Sequence, residues 1–406
     1  MSSLNDFGKK IREKGLNHIF TKTIPWYFRT YLDRMITSVV KKIYINKPLK
    51  DIIIIESHND FDSNGGAFYD FLINNRLNEK YKLVWFLRNK CPKNLPKNVE
   101  GYRYNRPSFK RVYYHCIAKY ILCEHFIIPS VRQGQVSYYT THGGFGLKAW
   151  KGNIVLPDEI SYILNPSKYL EPILAKEYDI EYPNKKMISI GMPEHDILYN
   201  GKPGDIIKLT NKKYSKIVLW MPTFRTSVDG RSDSSSKGGI GIPILQSLEQ
   251  LEKLNHELSK CNALLIIKLH PMQDTREVKI HSLSHIRVLD ANSMKKLGLD
   301  TYRLMKGTDA LISDYSSVAY DYLHIDKPIA YTFDDIADYD VGLIVENPED
   351  FIAGDIIYNY DDFEKFIQSI INEEDTYREK RHTLSNKIWD FHDDKNCFRL
   401  SKHMGI

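Results

Sequence analysis

Short, unbroken apolar runs that end abruptly in polar residues constrain this chain more than any other feature. Asp51-Ile-Ile-Ile-Ile-Glu56 and Lys82-Leu-Val-Trp-Phe-Leu87 are two of them. A strand buried on both faces reads this way, because neither face is left for polar side chains. The loop Ser57 to Gly66 separates them, followed by a helical stretch from Ala67 to Asn74. A second helical stretch, Tyr113 to Tyr120, precedes strands at Tyr120 to Cys123 and Gln135 to Thr140. Strand alternating with helix predicts a parallel α/β sheet with right-handed crossovers. After a strand at Met187 to Ile190 and the polar stretch Gly201 to Ser215, the alternation restarts. Strands are predicted at Lys216 to Met221, Ala263 to Leu269, His285 to Leu289, Ala310 to Ile312 and Pro328 to Tyr331, with a helix at Ile244 to Leu258. Two such sets predict an α/β protein of two Rossmann-like domains facing across a cleft.

The length agrees, since 406 residues make roughly two to three ordinary domains. The expected division is a helical segment over 1–48, an N-terminal domain over 49–200, a C-terminal domain over 201–385, and a last helix over 386–406 placed to cross back. A hydrophobic content of 42% with 27% charged residues excludes disorder or a fibre as the dominant state. No apolar run approaches the ~20 residues of a spanning helix. Five cysteines without a CxxC pair support neither a disulfide framework nor a zinc cage and fit a reducing compartment. Net charge is 57 − 51 = +6, modest for this length, and no nucleic-acid partner is expected. Met1 to Phe7 is polar, so no signal peptide is read and the cytoplasm is the expected location.

Basic residues nevertheless gather at one place. Lys9, Lys10, Arg12, Lys14, Lys22, Arg29, Arg34, Lys41, Lys42 and Lys47 stand against Glu13 and Asp33. Between them Phe28, Leu32, Met35, Val39 and Ile43 recur at helical spacing, widened by Tyr31, Ile36 and Val40, with Trp26 and Tyr27 at the start. Such a helix can lie in the headgroup layer of an anionic bilayer, or pack its stripe on the protein's own body.

Several strand ends carry residues suited to phosphate. Asp309-Ala-Leu-Ile-Ser-Asp-Tyr-Ser-Ser-Val-Ala-Tyr-Asp321 runs from strand through turn into helix, with Ser316 or Ser317 at the N-cap position. Hydroxyls, free N–H groups and the helix dipole converge there, whether the serines bind a ligand or only cap. Lys268 and His270, in Leu265-Ile-Ile-Lys-Leu-His-Pro271, share one face at a strand end and suit a diphosphate. Arg225, in Trp220-Met-Pro-Thr-Phe-Arg225, offers a fork matched to phosphate oxygens, or a surface salt bridge. His142, in Thr140-Thr-His-Gly-Gly-Phe-Gly-Leu-Lys148, follows a strand and precedes glycines that admit close approach. Between two domains, opposite a phosphate site, it is placed as a general base. In Gly191-Met-Pro-Glu-His-Asp196, Glu194 and His195 are read as cleft-lining or capping, and Asp196 as a cap for the helix that follows. Walker, GxGxxG, GxSxG, HExxH and kinase signatures are absent. Asp60 and Asp62 are spaced like a DxD pair but lie in the first domain's opening loop, so no metal site is expected.

Read in order, these segments resemble the CDP-glycerol glycerophosphotransferases, the teichoic-acid and capsule polymer synthases of bacteria. Thr141 to Lys148 is similar to that family's HGTPLK segment, Gly191 to Asp196 to its G-x-P-R-N-D, Met221 to Arg225 to its APTWR, and Lys327 to Asp335 to its RPILFYxYD. Lys268 to Pro271 and Ile312 to Tyr322 match almost letter for letter, and the likeness runs from about Ile52 to the C-terminus. The resemblance implies a glycosyltransferase-B-type fold and a metal-independent, cofactor-free transfer. A polyol phosphate, glycerol phosphate first, would pass from a CDP-alcohol to a hydroxyl of a polymeric or lipid-linked acceptor, releasing CMP. It also implies a cytoplasmic enzyme held on the inner face of the cell membrane by basic, apolar helices.

Carried over by position, the resemblance makes His142 the catalytic base and counts His270 with it. His270, Ser316, Ser317 and Arg225 would hold the diphosphate, with Lys268 and Asp314 from the same segments. Gly143, Gly144, Lys148 and Glu194 would line the acceptor side or the cleft. The chain departs from the family at Gly144, where Thr is usual, at Phe224 for Trp, at Thr226 for an acid, and at Asp340 to Val345 for RGFYFD. These departures bear on the substrate more than on the chemistry. Alternatives are a CDP-ribitol-dependent transferase, a nucleotide-sugar glycosyltransferase on the same scaffold, or a non-catalytic membrane-bound binding module.

Overall fold

Ile52 to Ile55 are 0–3% exposed, and this places their strand, β1 (Lys50–Ile55), inside a sheet with neighbours on both edges. The computed structural model describes residues 24–406 apart from 203, 225, 226, 228–238, 277, 337, 338 and 340. Arg225, Thr226, Asp340 and the basic residues up to Lys22 therefore lie outside the described residues. The chain divides into two compact units. One holds the residues up to His142, Leu156–Leu164 and Met404–Ile406; the other holds Gly143–Val155 and Asn165–His403.

In the first unit, β2 (Lys82–Leu87), β3 (Val99–Arg103), β4 (Ala118–Cys123), β5 (Val136–Tyr139) and β6 (Tyr162–Leu164) join β1 in the order β3-β2-β1-β4-β5-β6. Every one of these pairings is parallel. The second unit contains a two-residue strand, β7 (Met187–Ile188), and a six-stranded parallel sheet. That sheet is built from β8 (Ile217–Trp220), β9 (Leu264–Lys268), β10 (Ile286–Leu289), β11 (Ala310–Ser313), β12 (Ile329–Thr332) and β13 (Asp355–Ile357), ordered β10-β9-β8-β11-β12-β13. Each unit thus follows the doubly wound order, in which the direction of winding reverses beside the first strand. The reversal opens a crevice at the strands' carboxyl ends, between β1 and β4 in the first unit and between β8 and β11 in the second.

Helix α1 (Ile24–Tyr44) packs one edge on α2 (Phe109–Ile117): Val40, Ile36 and Tyr44 meet Val112 and Cys116. Its main apolar stripe does not. Phe28, Tyr31, Met35, Val39 and Ile43 are 50–64% exposed, so intramolecular packing accounts for only the flank of the stripe. In the second unit α3 (Leu248–Lys260) buries Leu251, Leu254 and Leu258, and the Ser247 side chain accepts from Gln250 N–H at its start. The helix was expected from Ile244, but that residue holds φ +66 and stands outside it.

Candidate active site

The crevice of the first unit is lined by acids that directly follow its central strands. Glu56, after β1, is 1% exposed, and its Oε2 accepts from the N–H groups of Glu124 (2.9 Å) and His125 (3.0 Å). Burial pushes its carboxyl up to about 7, against those backbone donors. Glu124, after β4, is fully buried, and its Oε1 lies 3.1 Å from His142 Nδ1. The His142 side chain is 56% exposed and stacks on His58 at 4.5 Å between centroids. His58 Nδ1 in turn lies 3.2 Å from His125 Nδ1. Thr141, just before His142, is held at φ +57, a conformation costly for a β-branched residue. Burial, then repulsion from Asp62 and Glu56, pushes the Glu124 carboxyl well above the usual carboxylate range. When Glu124 is ionised, His142 Nδ1–H donates to it and Nε2 keeps its lone pair, the tautomer a base requires. A proton added to the pair removes that lone pair.

Glu56→Gln keeps an oxygen for the two N–H groups, so its effect isolates the charge. A carboxyl raised from 4.5 to about 7 on folding costs nothing below the lower value and loses stability progressively as pH climbs between the two. The variant is expected to be more stable than the native chain at about pH 8, by up to roughly 3 kcal/mol, and to lose that advantage near pH 4. Thermal melts at both pH values check this; an equal difference at both would refute the charge argument.

In the second unit the ends of β8, β9 and β11 meet. After β11, Asp314 is fully buried: Oδ2 accepts from Thr223 N–H (2.7 Å) and from the Thr223 hydroxyl, and Oδ1 accepts from Ser316 N–H (3.3 Å). This ties the loop after β8 to the Ser316-Ser317 turn at the start of α4 (Val318–Asp321). At the end of β9, Lys268 is 7% exposed, and burial pulls its ammonium down to about 8. His270 sits 5.0 Å from the Phe224 ring, and Lys148 Nζ lies 5.3 Å from the centre of that same ring. The glycine loop completes the arrangement. Leu147 N–H donates to Tyr315 O (3.0 Å), and a Cβ on Gly146 would fall 2.8 Å from Ser317 N. A Cβ on Gly143, at φ +76, would fall 2.2 Å from Ser317 Oγ.

Several expectations are corrected. Asp314 holds the turn together through internal hydrogen bonds, and a buried carboxylate in that role is no ligand for a phosphate. Ser317 takes the N-cap position, one of the two expected, but it is already helical (φ −58, ψ −28) and its side chain makes no capping bond. Glu194 is 2% exposed and bonded by Tyr302, while His195 Nε2 meets Asp321 Oδ1 at 3.0 Å, so both belong to the second unit's interior rather than to a lining. Asp196 does cap a helix, but a distant one. Its oxygens accept from Asn396 N–H (2.8 Å) and Cys397 N–H (2.9 Å), at the start of α5 (Asn396–Met404). Gly143, Gly144 and Lys148 go with the second unit, whereas His142 goes with the first. Sequence reasoning missed Glu56, Glu124, His58 and His125. Their signal was position: both acids end apolar runs, where open α/β sheets bind ligands.

The order of the two sheets and the polar groups at their carboxyl ends define an open α/β protein of two doubly wound units with ligand-binding strand ends. The family model for CDP-glycerol:poly(glycerophosphate) glycerophosphotransferases matches residues 40–404, and the chain belongs to that family. The teichoic acid ribitol-phosphate polymerase TarK of Staphylococcus aureus is 23% identical over 401 residues, covering 93% of this chain and 72% of its own. The teichoic acid poly(glycerol phosphate) polymerase of Bacillus spizizenii is 25% identical over 347 residues, 77% of this chain and 81% of its own. Among solved structures, the wall teichoic acid polymerase TagF superposes with a TM-score of 0.71 at 18% identity, over 96% of this chain and 98% of that one. A form of TagF soaked with CDPG matches with the same TM-score. The glycosyltransferase-B-type fold expected from the resemblance is the fold found.

Proposed function

We propose that the protein transfers a polyol phosphate, glycerol phosphate first, from a CDP-alcohol to a hydroxyl of a teichoic-acid or capsular polymer acceptor. The acceptor oxygen attacks the β-phosphorus of the donor. A P–O bond forms, the bond from that phosphorus to the bridging oxygen breaks, and CMP leaves. His142 takes the hydroxyl proton on Nε2, and Glu124 holds the imidazole in the required tautomer. His270, Lys268, Ser316, Ser317 and Arg225 meet the charge on the diphosphate. Phosphoryl transfer asks mainly for positioning and electrostatics. The observation that carries the reading is the pair at the end of the first unit's strands: a fully buried Glu124 carboxyl 3.1 Å from Nδ1 of the half-exposed His142 imidazole.

The test is a panel of CDP-glycerol, CDP-ribitol and UDP- and CMP-sugars on a short lipid-linked acceptor, with mass analysis of the products. It is run with a chelator present, since the reading needs no metal. CMP release with polyol phosphate added to the acceptor supports it; sugar addition, or binding without CMP release, overturns it. CDP-ribitol is the second donor to examine, because TarK is a ribitol-phosphate polymerase.

We also propose that α1 rests on the inner face of the bacterial membrane. No described helix is long and apolar enough to cross one. The support is the exposed Phe28-Met35-Val39 stripe beside Arg34, Lys41 and Lys42. Val39→Asp is expected to weaken binding to vesicles containing phosphatidylglycerol by about tenfold or more. Unchanged co-sedimentation would refute the role.

A further inference from the structure

The face of α1 that continues from its packed edge, away from the exposed stripe, roofs a cavity of about 540 Å³ within the first unit. Arg29, Arg34, Thr37 and Lys41 descend into it from the helix, and Arg111 enters from α2. Its opposite wall is apolar: Phe86, Val112, Phe126, Ile128 and Val131. Four cationic side chains therefore share this space with one carboxylate, Asp33, which pairs with Arg111 (2.5 Å) and more loosely with Arg29 (3.9 Å). His115, also on the wall, is half-buried, and loss of water holds its pKa below the ordinary value.

Two observations bear on what this space would take. Arg29 donates to Tyr104 O and Arg111 to Asp33, and both are almost fully buried (6% and 8% exposed), yet the Nε of each and Asp33 Oδ1 are buried without a hydrogen-bond partner. Burial, and repulsion from Arg111, hold the Arg29 guanidinium below its ordinary value despite Asp33. Desolvated guanidinium groups in excess of their counter-charges are costly unless an anion joins them. An apolar wall beside them suits a ligand with a chain.

Position narrows the occupant further. At 100° per residue, Arg34 and Ser38 stand next to Tyr31 on the helix, at the border of the exposed apolar stripe. With that stripe in the headgroup layer, this rim of the cavity would stand beside the lipid headgroups. We propose that this cavity is a binding site for one anionic phospholipid, its headgroup phosphate on Arg29, Arg34 and Arg111 and the start of an acyl chain along Phe86 and Phe126. The proposal rests on the membrane reading of α1 but makes a separate claim: a saturable, stereochemically bounded site rather than general adhesion.

The probe is dihexanoyl phosphatidylglycerol below its micellar concentration, titrated calorimetrically into the full chain. Dihexanoyl phosphatidylcholine and inorganic phosphate are the comparison ligands. Saturable binding of the anionic lipid is expected, with both comparison ligands weaker. Arg34→Gln with Lys41→Gln removes rim charge and is expected to weaken binding about 25-fold, at roughly fivefold per cation. Thr37→Trp, which fills the cavity from the half-buried side of the helix, is expected to abolish it. Melting curves of both variants establish that they fold. Val39→Asp should lose vesicles yet keep the soluble lipid, which separates failure of the membrane reading from failure of this one. Absence of saturable binding, equal binding by folded Thr37→Trp, or inorganic phosphate binding as tightly as the lipid would each overturn the assignment.

Discussion

Replacing His142 by alanine is expected to lower polyol-phosphate transfer by about 10²–10⁴-fold, the usual contribution of a positioned general base, with CDP-alcohol binding near that of the native chain. The split follows from the geometry. His142 carries one nitrogen to Glu124 and sits on a half-exposed ring, whereas the groups assigned to the diphosphate belong to other strand ends. Radiolabelled donor separates the two readouts, and full turnover by the variant would remove His142 from the mechanism. Glu124→Gln sharpens the test. Its amide oxygen can still accept from Nδ1–H, but the carboxyl whose titration burial pushes well upward is gone. The acid limb of the kcat/KM profile is therefore expected to move to lower pH while the rate falls. A purely structural role for Glu124 would leave that limb in place.

The second large effect is expected at the serine turn. Ser317→Ala removes one proposed donor to the departing charge and should cost about 10²–10³-fold in rate. Gly143→Ala approaches the same point from the other side. Its Cβ would meet Ser317 Oγ at 2.2 Å and Ser317 Cβ at 2.9 Å, from a backbone at φ +76. Something must shift, and a misplacement of about 1 Å at a reacting centre can cost ~10²-fold. The protein should remain folded, because the loop is a small part of either core. Near-native turnover by Gly143→Ala would show that the contact of loop and turn does not serve the reaction.

Much of the architecture was legible because buried parallel strands write themselves as apolar runs. β1, β2, β8 and β9 fall within a residue or so of their predicted places. β3 reads Val-Glu-Gly-Tyr-Arg at the edge of its sheet, half-exposed and polar, and so carries no such signature. β6 and β13 are three residues long, too short for any periodicity. Lys268, His270, Ser316, Ser317 and His142 stand out in the sequence because residue type and strand end coincide in each. Asp314 was misread because its partner, Thr223, is 91 residues away, and nothing local distinguishes an acid that ties two loops from one that faces a ligand. Glu124 went unseen for the converse reason. Only tertiary structure brings it to a histidine 18 residues on and strips it of water.

The path of the backbone has an evolutionary and practical consequence. It leaves the first unit after His142, returns for Leu156–Leu164, departs once more, and finishes there with Met404–Ile406, where the Tyr120 hydroxyl donates to Met404 O at 2.6 Å. No single nick can part this molecule into its two intact units, since the first unit is built from three separate stretches of the chain. Trading halves between relatives through one simple crossover would accordingly leave a unit with segments of mixed origin.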